Sequence, residues 1–418
     1  MISGGEQLNV IRLKTQCGIK RGASPRPIDN FMRGHSEKGA RHWIRIGDTQ
    51  KGSRVITTTK LFVTAAGAVK SVLVAPGDLL LSNSMSFGEP YISGIHGCIH
   101  DGWLALTPSS KIMKDYLYWC LLSEFVNDQF RLNAQGATVN NLNIQMVGNV
   151  LIPIRTVREQ LLLVEYLDHK TTKIDHLLDK LRRQVELLEQ YRRELIARTV
   201  TRGLNPDAPM QDSGIDWMPK IPVHWIALRG KRVFRKLQRP VPPYAETVTC
   251  FRDGTVTLRK NRRSEGYTES LQEIGYQGIA PGDLVIHEMD AFAGAIGVSD
   301  SVGKSTPVYA VCALRNGGSA KFYAYLLRNM AQSNFILSLA KGIRQRTVDF
   351  RFKTLASLLI PVPPVKEQQQ IAIFLDNKSS EIDATISNIN KQIELLEKYR
   401  KQIINDAVTG KVRVGEMA

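Results

Sequence analysis

Polar residues that can bind nucleic acid cluster in loops between strand-like segments of this 418-residue sequence. Arginine and glutamine can make bidentate hydrogen bonds to guanine and adenine edges, so loops rich in them could read a base sequence. Each such residue could equally contact a phosphate or only water. The candidate DNA contacts in residues 1–150 are Lys51, Arg54, Asn83, Asn133, Gln135, Asn140 and Asn141. The candidates in residues 206–358 are Arg259, Lys260, Asn261, Arg262, Arg263, Arg344, Gln345 and Arg346.

Three other motifs could indicate an enzyme, but each departs from the pattern that its chemistry requires. GVSDSVGKS at 297–305 has five residues between its glycines, where a phosphate-binding loop needs four. VPPY at 241–244 is similar to the tetrapeptide with which amino-methyltransferases hold an extruded base, but Val241 cannot accept a hydrogen bond from the target amine. FAGAIG at 292–297 resembles a glycine-rich cofactor turn without a well-placed acidic partner. We therefore predict a non-catalytic chain, with a self-sufficient DNA adenine methyltransferase as the alternative.

Histidine and cysteine alternate in HGCIH at 96–100, which would place His96, Cys98 and His100 on one face of a strand. A metal site is one interpretation of this pattern, and a packed strand with satisfied histidines is the simpler one, so we predict no metal. The five cysteines contain no CxxC pair, which is typical of a reducing cytosol. No apolar run approaches the roughly 18 residues of a membrane span, and the N-terminal segment lacks the order of a secretory signal. These features predict a cytoplasmic protein without a membrane partner.

The elements that must position the polar loops are repeated within the chain. Residues 151–201 and 359–409 align without a gap at an offset of 208 residues, and 21 of the 51 aligned pairs are identical. This period is far longer than the roughly 20–50 residues of a solenoid repeat, so it indicates a duplicated half-molecule. We predict two mixed α/β domains at 1–150 and 206–358, each followed by a helical region, at 151–205 and 359–418.

The apolar positions of both helical regions alternate at spacings of four and three residues, which is typical of a coiled-coil seam. A single arginine interrupts the seam at the same step of each copy, at Arg192 and Arg400, with Tyr191 and Tyr399 expected to cover its aliphatic stem. A strand and a short helix that ends near Asp168 or Asp376 should precede each seam. The seam residues are Ile174, Leu178, Leu181, Val185, Leu188 and Leu195, and Ile382, Ile386, Ile389, Ile393, Leu396 and Ile403.

Matching seams favour mutual pairing of the two helices over two helices that each pack only on their own domain. The predicted fold class is therefore α+β, with two mixed α/β domains joined by an antiparallel coiled coil and related by a pseudo-two-fold axis. Such a seam is roughly 38 Å long at 1.5 Å per residue. That length is close to one turn of B-DNA, about 34–36 Å, so two half-sites would flank a gap that is not read.

The formal net charge of +17 lies mainly in the two variable blocks, and the helical regions are nearly balanced. Two basic globular blocks favour double-stranded DNA as a partner. The blocks also share a skeleton, because APGDLLLSNSMSFG at 75–88 is similar to APGDLVIHEMDAFAG at 280–294. This similarity supports duplication of the whole half.

In order and in motifs the chain resembles the DNA-specificity (S) subunit of type I restriction–modification systems. DSGIDWMPKIPVHW at 212–225 is similar to the opening signature of a target-recognition domain in that family. The repeated EQ, LD, ID, LLE and YR motifs resemble its two conserved regions, and GKSTPVYAV at 303–311 resembles the strand after the recognition loop. The N-terminal segment departs from the pattern, because it lacks the Trp-rich opening seen at 212–225.

The resemblance implies that each recognition domain reads one half of a bipartite, asymmetric target and that the paired helices set the spacer. It also implies that the helices dock two modification subunits, which bind S-adenosylmethionine and methylate adenine. A restriction subunit would add ATP- and Mg-dependent translocation and cleavage, so no cofactor is expected in this chain. The implied docking surface, which could equally be a solvated flank, contains Arg182, Arg183, Glu186, Glu189, Arg193 and Glu194.

Overall fold

The computed structural model describes residues 8–49, 52–84, 87–134, 141–262, 265, 273–339 and 350–412. It divides into two compact units. Unit 1 contains Met1–Arg183 and Ile389–Ala418, and unit 2 contains Gln184–Asn388. Each unit therefore combines one variable block with part of both repeated segments, so the helical regions that the sequence sets apart are shared between the units.

Within the described residues, unit 1 contains twelve short strands. They are β1 (Val10–Arg12), β2 (Cys17–Arg21), β3 (Met32–Arg33), β4 (Arg41–Ile44), β5 (Val55–Ile56), β6 (Leu61–Val63), β7 (Val72–Val74), β8 (Leu79–Ser82), β9 (Pro90–Ser93), β10 (Gly97–Ile99), β11 (Trp103–Pro108) and β12 (Leu151–Pro153). One five-stranded sheet has the order β2-β11-β8-β9-β5, and another has the order β3-β6-β4-β10-β7.

Unit 2 contains another twelve described strands. They are β13 (Met210–Ile215), β14 (Met218–Pro222), β15 (Ile226–Arg229), β16 (Phe234–Lys236), β17 (Val248–Cys250), β18 (Val256–Leu258), β19 (Gln277–Ile279), β20 (Leu284–His287), β21 (Ile296–Val298), β22 (Gly303–Ser305), β23 (Tyr309–Leu314) and β24 (Leu359–Val362). The largest described sheet of this unit has the order β16-β23-β20-β21, and β17–β18 and β19–β22 form separate pairs.

The α-helices are two long ones and eight shorter ones in the described part of the chain. They are α1 (Ala65–Ala68), α2 (Lys114–Leu122), α3 (Glu124–Ala134), α4 (Ile144–Asn149), α5 (Val157–Arg202), α6 (Gly230–Val233), α7 (Ala320–Gln332), α8 (Phe335–Ser338), α9 (Phe352–Ser357) and α10 (Val365–Thr409). Within the described ranges, every helix is too short or too polar to span a lipid bilayer.

The two units share a framework, as the sequence skeleton predicts. The order β2-β11-β8-β9 of unit 1 matches β16-β23-β20-β21 of unit 2. In each APGD turn the alanine N–H donates to the aspartate Oδ2 over 2.8 Å, from Ala75 to Asp78 and from Ala280 to Asp283. The glycine of each turn has a φ of +87°, a left-handed conformation that favours glycine. The duplication therefore extends from the helices into both sheets.

Helices α5 and α10 are uninterrupted over 46 and 45 residues. The predicted break near Asp168 and Asp376 is therefore wrong. Neither helix contains glycine or proline, so nothing in the backbone forces a turn. The polar residues that suggested a break are instead satisfied within the helix or by its neighbours: the Thr171 hydroxyl donates to the Leu167 carbonyl over 2.7 Å, and Asp168 accepts from Trp119.

The long helices pack against each other in antiparallel order in each unit. In unit 1, Asp175 pairs with Arg400 over 2.8 Å, and Arg182 pairs with Glu397 over 2.8 Å. From Asp175 to Arg182 the residue number increases along α5, whereas from Arg400 to Glu397 it decreases along α10. The two helices therefore run in opposite directions. In unit 2, Arg192 pairs with Asp383. Mutual pairing of the helices is therefore confirmed, while the two-fold relation of the blocks and the coiled-coil geometry stay predictions.

The two seam arginines have partners at equivalent positions of the repeat. Arg192 and Arg400 lie 208 residues apart, and so do their partners Asp383 and Asp175. The seam residues themselves are buried or half-buried, as predicted, with Ile174, Leu178 and Ile403 in the core of unit 1. Tyr191 and Tyr399 are about half exposed, and their cover of the neighbouring arginines stays a prediction. The arginine of each repeat therefore fixes the antiparallel register through the aspartate of the other repeat.

A buried glutamine joins each variable block to its long helix. Gln160 accepts a hydrogen bond from the Met113 N–H over 2.8 Å and donates to the Lys111 carbonyl over 2.8 Å. At the equivalent position, Gln368 accepts from the Ser319 N–H over 3.1 Å. Both side chains are almost completely buried. Since Met113 and Ser319 precede the first helical residue of α2 and α7, each glutamine satisfies an N–H at the start of a domain helix.

Candidate nucleic-acid interface

The polar loop of unit 2 follows the β17–β18 hairpin and contains a short 3-10 helix at Arg259–Asn261. Its side chains are held by residues of the same hairpin. Arg259 Nε donates to Thr249 Oγ1 over 3.3 Å, and Asn261 Nδ2 donates to Thr257 Oγ1 over 2.8 Å. The loop is therefore ordered by contacts along the hairpin.

Two cations at the end of this loop are paired with carboxylates but exposed. Lys260 Nζ lies 2.6 Å from Glu246, and Arg262 Nη1 lies 2.6 Å from Asp253. The Arg262 guanidinium also lies over the Phe251 ring, 4.7 Å from its centroid. Ion pairs between exposed side chains contribute little, typically about 0–1 kcal/mol. A nucleic acid can therefore displace these carboxylates at small cost.

Several predicted contacts fall outside the described residues. They are Lys51, Gln135, Asn140, Arg263, Arg344, Gln345 and Arg346. In unit 1, Asn133 lies on α3 and Asn141 lies shortly before α4, and both side chains are exposed. These two asparagines stay candidates for contact with DNA.

Asn83 is not available for a base contact, so this prediction needs correction. Only 1% of its surface is exposed. Its side-chain Nδ2 donates to the Asp101 carbonyl over 2.8 Å, and its own carbonyl accepts from the Leu142 N–H over 2.8 Å. Asn83 therefore closes the end of β8 against two neighbouring segments, so the apolar strand predicted here is confirmed, but the first residue of the polar loop after it is buried.

Arg54 is also engaged inside its unit rather than presented to DNA. Its guanidinium pairs with Asp115 and, over 2.7 Å, with Asp168. It also lies 4.5 Å from the centroid of the Tyr118 ring. Asp168 accepts a further hydrogen bond from Trp119 Nε1 over 3.1 Å. Arg54 therefore contacts α2 of its own variable block and joins the block to α5.

Replacing Arg54 by alanine should lower the free energy of unfolding of unit 1 by roughly 2–3 kcal/mol. The pair is half-buried, so the loss lies between that of an exposed pair, about 0–1 kcal/mol, and that of a broken buried pair, about 3–5 kcal/mol. Urea denaturation followed by hydrogen exchange of the α2 amides measures the change. Arg33→Ala is the matched control, because Arg33 pairs loosely with Glu37 at the surface. An unchanged stability together with weaker DNA binding would restore Arg54 as a DNA contact.

A cleft of about 520 Å³ in unit 1 contains two arginines that the sequence patterns did not single out. Burial lowers the pKa of His100 in this cleft below its ordinary value, so the ring is neutral at pH 7. A hydrogen bond from Ser24 over 2.7 Å lowers the pKa of Asp101. Arg26 and Arg45 leave the lining with a net positive charge, which makes this cleft a further candidate surface for an anionic polymer.

The HGCIH motif does not form a metal site in the described residues. Cys98 of HGCIH is buried on β10, and His100 Nδ1 accepts from the Gly102 N–H over 2.8 Å. The described part of the chain contains no group of three or more histidine, cysteine, aspartate or glutamate side chains that could hold a metal ion. Tyr244 of VPPY is fully exposed.

The sequence is similar to one domain family over about a third of its length and to named proteins over longer stretches. Residues 260–395 match the model of the type I restriction modification DNA specificity domain. A relative from Methanocaldococcus jannaschii, the type I restriction enzyme MjaVIII specificity subunit, is 24% identical over 98% of this chain and 94% of its own length. The StySPI specificity subunit of Salmonella potsdam is 25% identical over 42% of this chain and 39% of its own length.

Two solved structures share the fold. The HsdS subunit from Thermoanaerobacter tengcongensis matches 99% of this chain and 100% of its own, with a TM-score of 0.55 and 15% identity. A chain from a structure of type I R-M complex assembly and conformational transition matches 97% of this chain and 98% of its own, with a TM-score of 0.66 and 17% identity. At these identities the likeness concerns the fold alone.

Proposed function

We propose that this chain is a specificity subunit of a type I restriction–modification complex and supplies its DNA sequence specificity, because residues 260–395 match that family's domain and a specificity subunit is 24% identical over 98% of the chain. Each recognition domain would read one half of a bipartite, asymmetric target in double-stranded DNA. The chain itself would carry out no catalysis and would act in the cytoplasm with the DNA that it binds.

The observation that carries this proposal is a duplicated framework with different polar surfaces. Both units have the same central strand order and the same glutamine anchor. Unit 1 adds the sheet β3-β6-β4-β10-β7 and the arginine cleft, whereas unit 2 adds the β17–β18 hairpin with its basic loop. Two units with the same strand framework but different polar surfaces are suited to bind two different DNA sequences.

Exchanging residues 1–150 for the corresponding domain of another family member should change one half of the target and leave the other half intact. The junction contacts of Gln160 involve backbone groups, so a new domain can restore them. Single-molecule sequencing of methylated adenines, in cells that contain the chain and its modification partner, reports both half-sites and the spacer. A change in both halves would contradict two independent readers, and methylation without any sequence preference would contradict the proposed function.

We also propose that two modification subunits dock on the long helices at an apolar pair that occurs in both repeats. Leu187 and Tyr191 of α5 lie four residues apart on one helix face, and Leu395 and Tyr399 occupy the same positions of α10. Their exposed fractions are 47%, 52%, 64% and 53% in that order. Exposed leucine and tyrosine at matching positions support two copies of one partner, because aromatic and apolar anchors dominate protein interfaces.

The charged surface implied by the family resemblance is partly used within the helix pair. Arg182 is bound to Glu397 of α10, and Glu194 accepts from Gln190 of its own helix over 2.8 Å. Arg183, Glu186, Glu189 and Arg193 stay candidate flanks of the docking surface. The Leu–Tyr pairs therefore provide its apolar centre.

In this proposal the cofactors belong to the partners. S-adenosylmethionine would bind the modification subunits, and ATP and Mg²⁺ would bind the restriction subunits. The alternative, a self-sufficient methyltransferase, finds no support in the comparisons. Binding of S-adenosylmethionine to the isolated chain in calorimetry would favour that alternative.

A further inference from the structure

Two surface segments of the described chain carry only positive formal charge. Residues 12–21 contain Arg12, Lys14, Lys20 and Arg21 and no acidic residue. Residues 229–239 contain Arg229, Lys231, Arg232, Arg235, Lys236 and Arg239 and no acidic residue. We call these segments the basic connections, because the first leads from β1 into β2 and the second leads from β15 through α6 into β16.

The basic connections occupy equivalent places in the two units. In unit 1 the Leu13 N–H donates to the Val150 carbonyl over 2.9 Å. In unit 2 the Gly230 N–H donates to the Leu358 carbonyl over 2.8 Å. Val150 and Leu358 lie 208 residues apart, immediately before the two repeated segments, so the hydrogen bonds define one register for both connections.

This register aligns two cations of unit 1 with two cations of unit 2. Arg12 corresponds to Arg229, and Lys14 corresponds to Lys231. The next aligned pair, Thr15 and Arg232, is not alike. Charge is therefore retained at matching positions of domains whose other surfaces differ.

The two units are proposed to bind different base sequences. Cations that both units share should therefore contact a part of the partner that is the same in every sequence. The DNA backbone is such a part, since every half-site presents the same phosphates. We propose that Arg12 and Lys14 of unit 1, and Arg229 and Lys231 with Arg232 and Arg235 of unit 2, bind DNA phosphates without regard to sequence. This inference rests on the proposed function and assigns the phosphate contacts of its two DNA-binding units.

The connection in unit 2 is held by hydrogen bonds from arginine side chains to main-chain carbonyls. Arg229 Nη1 donates to the Ser357 carbonyl over 2.6 Å, and Arg315 Nε donates to the Lys231 carbonyl over 2.8 Å. A Cβ at Gly230 would lie only 2.1 Å from the Leu355 carbonyl oxygen, so only glycine allows α6 to approach α9 this closely. The cations of the connection thus extend from a fixed backbone, which lowers the entropy cost of binding.

Three cations of this connection are also free to bind an anion, whereas Lys236 and Arg239 pair with Glu288 and Asp283. Lys231, Arg232 and Arg235 are exposed, and none of them pairs with a carboxylate among the described residues. Lys260 and Arg262, in contrast, must first release a carboxylate. A cationic patch without aromatic anchors fits DNA better than a protein partner, because the centres of protein interfaces are depleted in charge and protein–DNA interfaces are strongly positive.

The test uses the chain assembled with its modification subunits and three variants, Lys14→Ala, Lys231→Ala and the triple variant K231A/R232A/R235A. Fluorescence anisotropy measures the affinity for the target duplex and for an unrelated duplex across a range of salt concentrations. Each removed phosphate contact should reduce the slope of log affinity against log salt by about one. The triple variant should lose roughly tenfold or more in affinity for both duplexes alike, with the methylated sequence unchanged.

Lys220→Ala is the matched control, because it removes one exposed charge of the same unit from β14 and should leave the slope unchanged. A wild-type slope in all three variants overturns the proposal. A loss of affinity for the target duplex alone also overturns it, because such a loss indicates base reading. Loss of modification subunits in native mass spectrometry, at an unchanged salt slope, overturns it as well. If the proposed function is wrong, the wild-type complex would bind the target and unrelated duplexes with equal affinity, which is a different result from those above.

Discussion

Lengthening both long helices by one heptad should lengthen the unread spacer of the target by about three base pairs. Seven helical residues add about 10 Å, and base pairs are about 3.4 Å apart along B-DNA. The insertions belong between Arg182 and Arg192 in α5 and between Asp383 and Glu397 in α10, because the ion pairs on either side then keep their partners. Methylation of the original target should fall at least about a hundredfold, since only one half-site can then be read in register.

Sequencing of methylated adenines would show whether the remaining methylation moves to longer spacers. Seven residues inserted at 203–208, after the end of α5, form the matched control, because both helices keep their length. An insertion into α5 alone shows how much of the lost methylation comes from lower stability rather than from a longer spacer. It shifts Arg192 away from Asp383 and should destabilise unit 2. An unchanged spacer in the folded double insertion would contradict the role of the helices as a ruler.

Replacing Leu395 and Tyr399 by alanine should remove one of two modification subunits, and the same change at Leu187 and Tyr191 should remove the other. Truncation of a central interface anchor costs about 2 kcal/mol or more, or roughly thirtyfold in affinity for each side chain. Native mass spectrometry should show one modification subunit with either double variant and none with the quadruple variant. Methylation should then be lost in the quadruple variant.

Leu177→Ala provides the matched control for this experiment. Leu177 is exposed on α5, but its counterpart in the second repeat is Thr385, so the apolar side chain is not repeated. Full occupancy by two modification subunits in the quadruple variant would contradict the docking proposal. Circular dichroism distinguishes that result from unfolding, because all four side chains lie at the surface of the helix pair.

The framework of the fold could be predicted from sequence because it follows local patterns. The 3–4 spacing predicts the helices and their buried seam, and the two APGD turns predict the equivalence of β8 and β20. The break near Asp168 was predicted wrongly because a cluster of polar residues was read as a turn, although no glycine or proline supports one. The partners of Arg192 and Arg400 could not be predicted, since they lie 191 and 225 residues away in the chain.

The candidate site was harder to predict because residue type does not reveal what a side chain already binds. Arg54 and Asn83 have the chemistry of a DNA contact, but one is bound to two carboxylates and the other is buried. The basic connections carried a readable signal in RGKRVFRKLQR, but their significance depends on a register between units that only the strand pairing defines. Base-specific roles depend on loop geometry, which follows from tertiary packing rather than from local pattern.

The glutamine anchor has a consequence for the evolution of specificity. Gln160 and Gln368 hold the variable blocks through main-chain N–H and carbonyl groups, which a domain helix of any sequence offers. These main-chain contacts can survive substitutions in the blocks, whereas side-chain contacts such as Arg54–Asp168 and Lys321–Asp376 must be kept or replaced when a block changes. In the proposed function, exchange of one block could thus create a new target sequence in one genetic step, because the proposed docking residues Leu187, Tyr191, Leu395 and Tyr399 lie on the helices.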